Sequence, residues 1–566
     1  MKKRKLLTIQ QAADVLGVSS ATIRNWIKSG RIVNNYYSGK QIRLSRQEII
    51  QLKKAIDSGE VQYLKSRRNK QGVSGFSIPA SYLDNQHQKL AHQLLLMVEQ
   101  LNSSQRLLVL LELYLRLLWT QGDLNSKCVA YSNSLVYQWL TGKLALGVYH
   151  GIAAEFYDLV KDVDETVFSV LAQISQLEID YKPGEDLLGL VYMSICSMGT
   201  RKAAGSYYTS TDIAVELIKD SMSYLKSDMP IIIDPCCGSG NFLLQLFLVF
   251  KDKLRQAGYS DYIIERNLLT FMLNGYDNDP VAVVLTKMNL SLLCTFPDLV
   301  SNLRVSCQDT LAVLGDVPKF DLIIGNPPWG YKFSRDEAKL LANHYYTAGT
   351  KGGVESYNLF IEWAINQIAD NGIISYILPE AFLTVRLHAR ARELILKNCR
   401  INKVTCFGTI FPEVNSPVIS LVMQRTDKSK QNNVRIKTDG KDYQVSQAYF
   451  SNMDFSFNVF GSKTDYEIIH HLRREVNVQY LKGNADFALG IVTGNNKKYV
   501  LKQPQANSEL VITGRNVFKY RIKPGGSYLV YQRDRFQQVA SDHLYRADEK
   551  LLYRFINSRL VFAYDD

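Results

Sequence analysis

Ile231-Ile232-Ile233-Asp234-Pro235-Cys236-Cys237-Gly238-Ser239-Gly240-Asn241-Phe242 reads as a short apolar strand, an acidic turn with two glycines, and the start of a helix. Glycines at such a turn let the backbone come close to a ligand at the carboxyl edge of a sheet, where doubly wound folds bind nucleotides. The turn lacks the G-K-[ST] ending of a phosphate-binding loop, which argues against a nucleoside triphosphate. Downstream the same rhythm recurs. Apolar strands are predicted at Leu273 to Tyr276, Leu303 to Ser306, Leu322 to Ile324, Ile373 to Leu378 and Val418 to Met423, separated by helical periodicity. Strands alternating with helices predict a doubly wound α/β sheet.

The strand ends carry the chemistry. Tyr276-Asp277-Asn278-Asp279-Pro280 places a carboxylate where it can accept hydrogen bonds from two ribose hydroxyls. Its separation from the glycines exceeds the roughly 20 residues of a dinucleotide fingerprint, which argues against NAD. Gln308-Asp309 offers an acid for an exocyclic adenine amine. The most specific signal is Asn326-Pro327-Pro328-Trp329, after the strand that starts near Phe320. An amine on an aromatic ring is a poor nucleophile because its lone pair is delocalised. If the Asn326 side-chain oxygen and the Pro327 carbonyl each accept one N–H, the nitrogen is drawn toward tetrahedral geometry and the lone pair localises. Two prolines hold those acceptors rigid. Trp329 adds a flat face for a base taken out of its stack. A proline-rich turn of purely structural use would explain the two prolines, but not the Asn before them or the aromatic after them.

With these motifs in this order, residues 181 to about 425 resemble the catalytic domain of the adenine-N6 DNA methyltransferases of restriction-modification systems. The order, with cofactor motifs ahead of N-P-P-W and a recognition region after it, matches their gamma class. The resemblance implies a Rossmann-like methyltransferase sheet, S-adenosylmethionine as cofactor, and methyl transfer to adenine N6 in double-stranded DNA. It assigns Asp234, Cys236, Gly238, Gly240, Asp277, Asp309 and Asn326 to the cofactor, with Tyr208 and Thr209 of Gly205-Ser206-Tyr207-Tyr208-Thr209 closing over the methionine end. Catalysis falls to Asn326, Pro327, Pro328 and Trp329, with Phe411, before Pro412, on the other face of the flipped base. Glu355-Ser356-Tyr357-Asn358-Leu359-Phe360 resembles the helix start that follows the catalytic motif. Gly490 to Asp566, with Thr493-Gly494-Asn495-Asn496-Lys497-Lys498-Tyr499 and Thr513-Gly514-Arg515-Asn516, resembles the beginning of the target-recognition region of longer members. Such a region would continue past Asp566, so either a restriction or specificity subunit completes recognition or the chain is incomplete.

The net charge of +13 divides unevenly along the 566 residues. Residues 1 to 70 hold 16 Lys and Arg against 4 Asp and Glu, residues 482 to 566 hold 14 against 8, and the middle holds 37 against 42. Basic ends around an acidic middle point to a polyanion at the ends. At the N-terminus, Thr8 can cap a helix Ile9 to Leu16, Gly17-Val18-Ser19 makes a turn, and Ser20 can cap a second helix Ala21 to Lys28. A hairpin from Arg31 to Leu44 and a capping box Ser45-Arg46-Gln47-Glu48 follow. The stretch resembles the winged helix-turn-helix of the MerR and excisionase type. That resemblance puts Thr22, Arg24, Asn25 and Lys28 on the recognition helix and Tyr36, Lys40 and Arg43 on the wing, toward DNA. A small helical domain docking on protein is the alternative.

The expected organisation is a winged helix-turn-helix at 1–58, a linker at 59–80, a helical domain at 81–200, the methyltransferase domain at 201–428, and a connector with the target-recognition region at 429–566. The helical stretch shows amphipathic patterns such as Leu107 to Trp119, with Glu112 and Arg116 on one polar face, and reads as packing only. Apolar runs such as Asn241 to Phe250 are about half of what a bilayer crossing requires, so a soluble, cytoplasmic protein with no membrane partner is expected. Eight cysteines at 128, 196, 236, 237, 294, 307, 399 and 406 form no C-x-x-C pair, so no metal site and no disulfide framework is expected. Glu337-Ala338-Lys339 and Asp548-Glu549-Lys550 match half of a nuclease signature, a match that chance supplies in a chain of this length, and no nuclease is expected. Two other functions fit parts of the pattern. Protein glutamine methylation poses the same lone-pair problem, and a non-enzymatic, cofactor-sensing DNA-binding regulator would need the sheet without the catalytic motif.

Overall fold

The computed structural model describes residues 6–16, 23, 26–27, 32, 35–38, 41–57, 85–124, 132–161, 163–195, 209–313, 315, 319–349, 353–410, 416–426, 432–438, 440–452, 454–475, 477–481, 483–555, 557 and 559–566. They form two compact units, divided between Lys463 and Thr464.

The first unit opens with strand β1 (Leu6–Thr8), a helix Ile9–Leu16, strands β2 (Asn35–Ser38) and β3 (Gln41–Ser45), and a helix Arg46–Asp57. Thr8 caps the first helix as expected, its Oγ1 accepting from Gln11 N at 3.1 Å while Gln11 Oε1 accepts from Thr8 N at 2.9 Å. Ala12, Ala13, Ile23, Trp26, Ile32, Leu44 and Ile49 make its buried core. β3 lies between β1 and β2, both antiparallel to it, as a hairpin wing requires.

Nine strands among the described residues form the main sheet. They are β4 (Ile232–Asp234), β5 (Leu273–Asp277), β6 (Arg304–Cys307), β7 (Phe320–Gly325), β8 (Ile368–Pro379), β9 (Cys399–Gly408), β10 (Val418–Arg425), β11 (Asn433–Thr438) and β12 (Lys441–Ser446). Their order is β6-β5-β4-β7-β8-β10-β9-β11-β12. The run from β6 to β8 is parallel, with Ile232 facing both Leu273 and Leu322. β10 runs antiparallel between β8 and β9. Ile232, Ile233, Leu322, Ile323 and Ile324 are completely buried, since helices such as Asn241–Gln256 and Pro280–Leu293 cross over from strand to strand and cover the faces. The chain winds one way from β4 through β5 to β6 and returns to start the other way at β7. The sheet therefore opens a crevice at the carboxyl ends of β4 and β7.

Two expectations need correction. The sheet does not stop at 428: the β11–β12 hairpin extends its edge, β11 pairing in parallel with β9, and the compact unit runs on to Lys463. The helices before the sheet do more than pack among themselves. Tyr114 bonds Ser291 hydroxyl to hydroxyl at 2.8 Å, and Lys287 pairs with Glu155 at 2.8 Å, fastening the helices Ser103–Gln121 and His150–Val160 to Pro280–Leu293. The polar face of Glu112 and Arg116 is completely buried: the pair sits at 2.6 Å, and the Glu112 carboxylate accepts Ser134 Oγ, Leu135 N and Val136 N at the start of the helix Leu135–Leu140. A buried ion pair needs such extra donors to offset the lost hydration.

The second unit continues the helix Lys463–Arg474 into short strands. β13 (Val500–Leu501) and β14 (Glu509–Leu510) flank β17 (Tyr528–Leu529), β15 (Val517–Phe518) pairs with β16 (Arg521–Ile522), and β18 (Lys550–Tyr553) pairs with β19 (Phe562–Asp565).

Candidate active site

The turn after β4 is shaped by its glycines and by carboxylates from neighbouring strands. Gly238 and Gly240 take φ of +56° and +94°, a region open to glycine and strained for other residues. A Cβ on Gly240 would also stand 2.8 Å from the Thr286 methyl. Asp234, 1% exposed, accepts from Cys236 N at 3.1 Å and lies so close to β7 that a Cβ on Gly325 would come within 2.6 Å of its Oδ1. Asp277 accepts from Gly238 N and Asp279 N, each at 2.9 Å, so it ties the turn after β5 to the turn after β4. Asp309 follows β6 and caps the short turn Thr310–Ala312 through Leu311 N at 3.0 Å.

Asn326 leaves β7 half-buried, with its Nδ2 donating to Thr209 Oγ1 at 3.2 Å. The Thr209 carbonyl in turn accepts from Asn241 Nδ2 at 2.7 Å. One residue thus stitches the turn after β4 to the turn after β7. The prolines are held from the start of the helix Ser356–Gln367, where the Ser356 hydroxyl donates to the Pro328 carbonyl and Glu355 Oε1 accepts from Gly330 N at 2.7 Å. The helix starts where the resemblance placed it.

A cavity of about 560 Å³ joins these elements, and Thr209, Asp234, Cys236, Gly238, Asp277, Asp309, Asn326 and Pro328 all line it. Gly240, Pro327 and Trp329 are not among its lining residues, Trp329 being 5% exposed, while Tyr331 and Phe333, edge to face at 4.9 Å, line it. Tyr208 and Phe411 lie outside the described residues, as do Thr22, Arg24, Asn25, Lys28 and Lys40 of the N-terminal module. Of that set Arg43 is described, on β3, half-buried opposite Thr8 and Tyr36. Among the described residues no cluster of His, Cys, Asp and Glu could hold a metal, and no helix is long and apolar enough to cross a membrane.

Sequence reading missed the part of the wall built before the sheet. Tyr192 and Met193, on the helix Leu187–Ile195, line the cavity, and the Tyr192 hydroxyl donates to Asp279 Oδ2 at 2.7 Å. Completely buried Asp186 accepts from the Ser239 hydroxyl, from Gly189 N at 2.9 Å and from Asn289 Nδ2 at 2.7 Å. Burial pushes the carboxyls of Asp186 and Asp234 up to about 7, in Asp234 with help from the negative charge of Asp277, and it raises Asp277 as well. Asp234, Asp277, Asp279 and Asp309 make the cavity wall acidic, suited to a cationic ligand with a ribose.

Comparison with known proteins gives the family. The N-6 DNA Methylase model matches residues 184–484, a helix-turn-helix domain model matches 6–55, and the TaqI-like C-terminal specificity domain matches 509–566. The chain is 26% identical over 331 residues to Type II methyltransferase M.VspI of Vibrio sp. (strain 343), covering 58% of this chain and 74% of that protein. It is 23% identical over 388 residues to the Type II restriction enzyme and methyltransferase RM.Eco57I of Escherichia coli, spanning 56% of this chain and only 38% of that one. A solved chain from a type I R-M system assembly aligns with a TM-score of 0.41 at 16% identity, over 69% of this chain and 82% of that one. With more than half of its length matched, the chain belongs to the N-6 DNA Methylase family, joined to an N-terminal helix-turn-helix domain and a TaqI-like C-terminal specificity domain.

Proposed function

We propose that this chain methylates N6 of adenine at a specific site in double-stranded DNA, with S-adenosylmethionine as donor, as the modification component of a restriction-modification system. One observation carries the assignment: Asn326 and the carboxylates Asp234, Asp277 and Asp309 face the same cavity, so an amine acceptor and a ribose-bearing cation would meet there. The cavity fits such a donor, with no side chain on Gly238 to fill the space beside the turn and the Asp277 carboxylate on the wall for the ribose hydroxyls. S-adenosylmethionine, when bound, supplies an electrophilic methyl group on a positive sulfur.

The protein supplies position and polarity. Asn326 and the Pro327 carbonyl accept the two N–H bonds of the target amine, which localises its lone pair toward the methyl group. Thr209 fixes the Asn326 amide edge, and Ser356 and Glu355 hold the proline turn, so these acceptors need little reorganisation as charge develops. The flipped base has Tyr331 and Phe333 on the cavity wall for stacking, and Trp329 serves as the buried backing of that loop. A partner nuclease or specificity subunit belongs to the same reading.

The test is methylation of mixed-sequence duplex DNA by the full chain with labelled S-adenosylmethionine, followed by sequencing with base-modification detection. N6-methyladenine at one recurring motif is expected. Label in a glutamine-containing release-factor substrate, with none in DNA, would instead establish protein glutamine methylation; the absence of label in both would leave the regulator.

A further inference from the structure

The helix Arg335–His344 follows the catalytic turn, and none of its ten residues is buried. Glu337, Leu340, Leu341 and His344 all line the cavity. Their spacing of i, i+3, i+4 and i+7 makes one helix face, so a single stripe of the helix meets the cavity. A surface helix ordinarily sets its apolar stripe on the core. Here Leu340 is 61% exposed and Leu341 only half-buried. Among the described residues no hydrogen bond or ion pair joins the helix to another element; its Ser334–Glu337 capping box and its Lys339–Asp336 pair are its own.

The two ends of the helix differ. Beyond His344 the chain is fixed: the buried Tyr345 donates its hydroxyl to the Leu311 carbonyl at 2.9 Å, Glu362 accepts from Tyr346 N and Thr347 N, each at 2.8 Å, and Arg390 Nη1 donates to the Tyr346 carbonyl at 2.8 Å. Before Arg335, Gly330 takes φ +66°, and among the described residues Tyr331 to Ser334 make hydrogen bonds only with the helix itself. A helix of ten residues is about 15 Å long, so a small rotation about the fixed end carries the other end across the cavity mouth.

We infer that the helix Arg335–His344 is a lid that swings about Tyr345 and lays Leu340, Leu341 and His344 on the purine ring of the bound donor. The inference rests on S-adenosylmethionine being the ligand of the cavity. The hinge points to the purine end, since Tyr345 is tied to Leu311, two residues beyond Asp309, the acid suited to the purine amine. Leucines without a packing partner gain from covering the flat apolar face of a purine, because water is shed from both. The charged amine and carboxylate of the methionine end offer them no such surface. Phe333, beside the free end of the helix, moves with the lid, so closure on the donor also sets the ring offered to the target base.

The experiment follows amide hydrogen exchange of the full chain with and without saturating S-adenosylhomocysteine, which carries the same adenosine, together with the association and dissociation rates of that ligand. Amides of residues 335–344 should exchange about tenfold more slowly with the ligand bound, while those of Tyr346 and Thr347, already bonded to Glu362, change little. Leu340→Ala/Leu341→Ala puts good helix formers at an exposed and a half-buried site, so thermal stability without ligand should match the wild type. Dissociation of S-adenosylhomocysteine from this variant should be about tenfold faster, with association little changed. Unchanged exchange at 335–344 on binding, or a wild-type dissociation rate in the variant, would overturn the lid. If S-adenosylhomocysteine does not bind the wild-type chain at all, the donor reading fails and the lid falls with it; if it binds with neither effect, the lid alone fails.

Discussion

Asp234 shows how burial at a single residue becomes pH dependence. An unfolded chain loses this proton near pH 3.8, whereas the folded chain holds it to about 7. Between those values the native state binds more protons than the unfolded one, so the residue's contribution to stability falls as pH rises from about 4 to about 7 and is level above that. A cation in the cavity favours the carboxylate and expels the proton. Affinity for S-adenosylmethionine should therefore drop as pH falls below 7, by up to about tenfold per pH unit. Calorimetric titration at pH 8, 7 and 6 checks this: Asp234→Asn should flatten the dependence, and constant wild-type affinity would contradict the coupling. At this scale the sequence was most legible where the chemistry lies in a short contiguous string. Asn326 and Asp277 are flanked by the prolines and acids that define their turns, and both reach the cavity. Trp329 had the right type and spacing, but local composition does not report that Tyr331 and Phe333 turn to the cavity while the indole is buried. Tyr192 and Asp186 act on residues 87 and 53 positions away, and nothing near them in sequence marks that.

Among the elements, the strands with uninterrupted apolar runs were read within a few residues, because a strand buried on both faces must be apolar throughout. β9 escaped because Arg400, Asn402, Lys403 and Thr405 interrupt its pattern. Three of these polar residues are nevertheless buried, and Lys403 is matched by Asp220 of the helix Thr211–Met222 at 2.6 Å. The β11–β12 hairpin did carry a signal, Asp439-Gly440 between alternating strands, with Gly440 at φ +72°. The helix Leu187–Ile195 is the element whose role changed most, from packing to cavity wall. Its tie to the cofactor turn runs through Asp186, so Asp186→Ala should destabilise the folded chain by about 2–4 kcal/mol, since buried donors on Ser239, Gly189 and Asn289 lose their acceptor. Affinity for S-adenosylmethionine should fall with it as the turn loosens. Denaturant unfolding beside a binding titration checks both, and wild-type values in each would return the helix to mere packing.

Across the whole molecule, charge and function are divided. The N-terminal module has its own buried core and a net charge of +12 over residues 1 to 70, outside the residues that line the cavity. Deleting residues 1 to 70 should leave methyl transfer on short duplexes largely intact while weakening overall DNA affinity and its salt dependence. Equal affinity and salt slope in the shortened chain would assign the module to a protein partner. In the proposed mechanism the Asn326 turn activates an adenine amine. Single-turnover methylation of a duplex by wild-type and Asn326→Ala chains, with cofactor and DNA binding measured beside it, tests that most directly. One acceptor that acts chiefly in the transition state should be worth roughly 10² to 10³ in rate, with both ligands bound as in the wild type. An Asn326→Ala chain that binds normally and methylates adenine at the wild-type rate would contradict the mechanism.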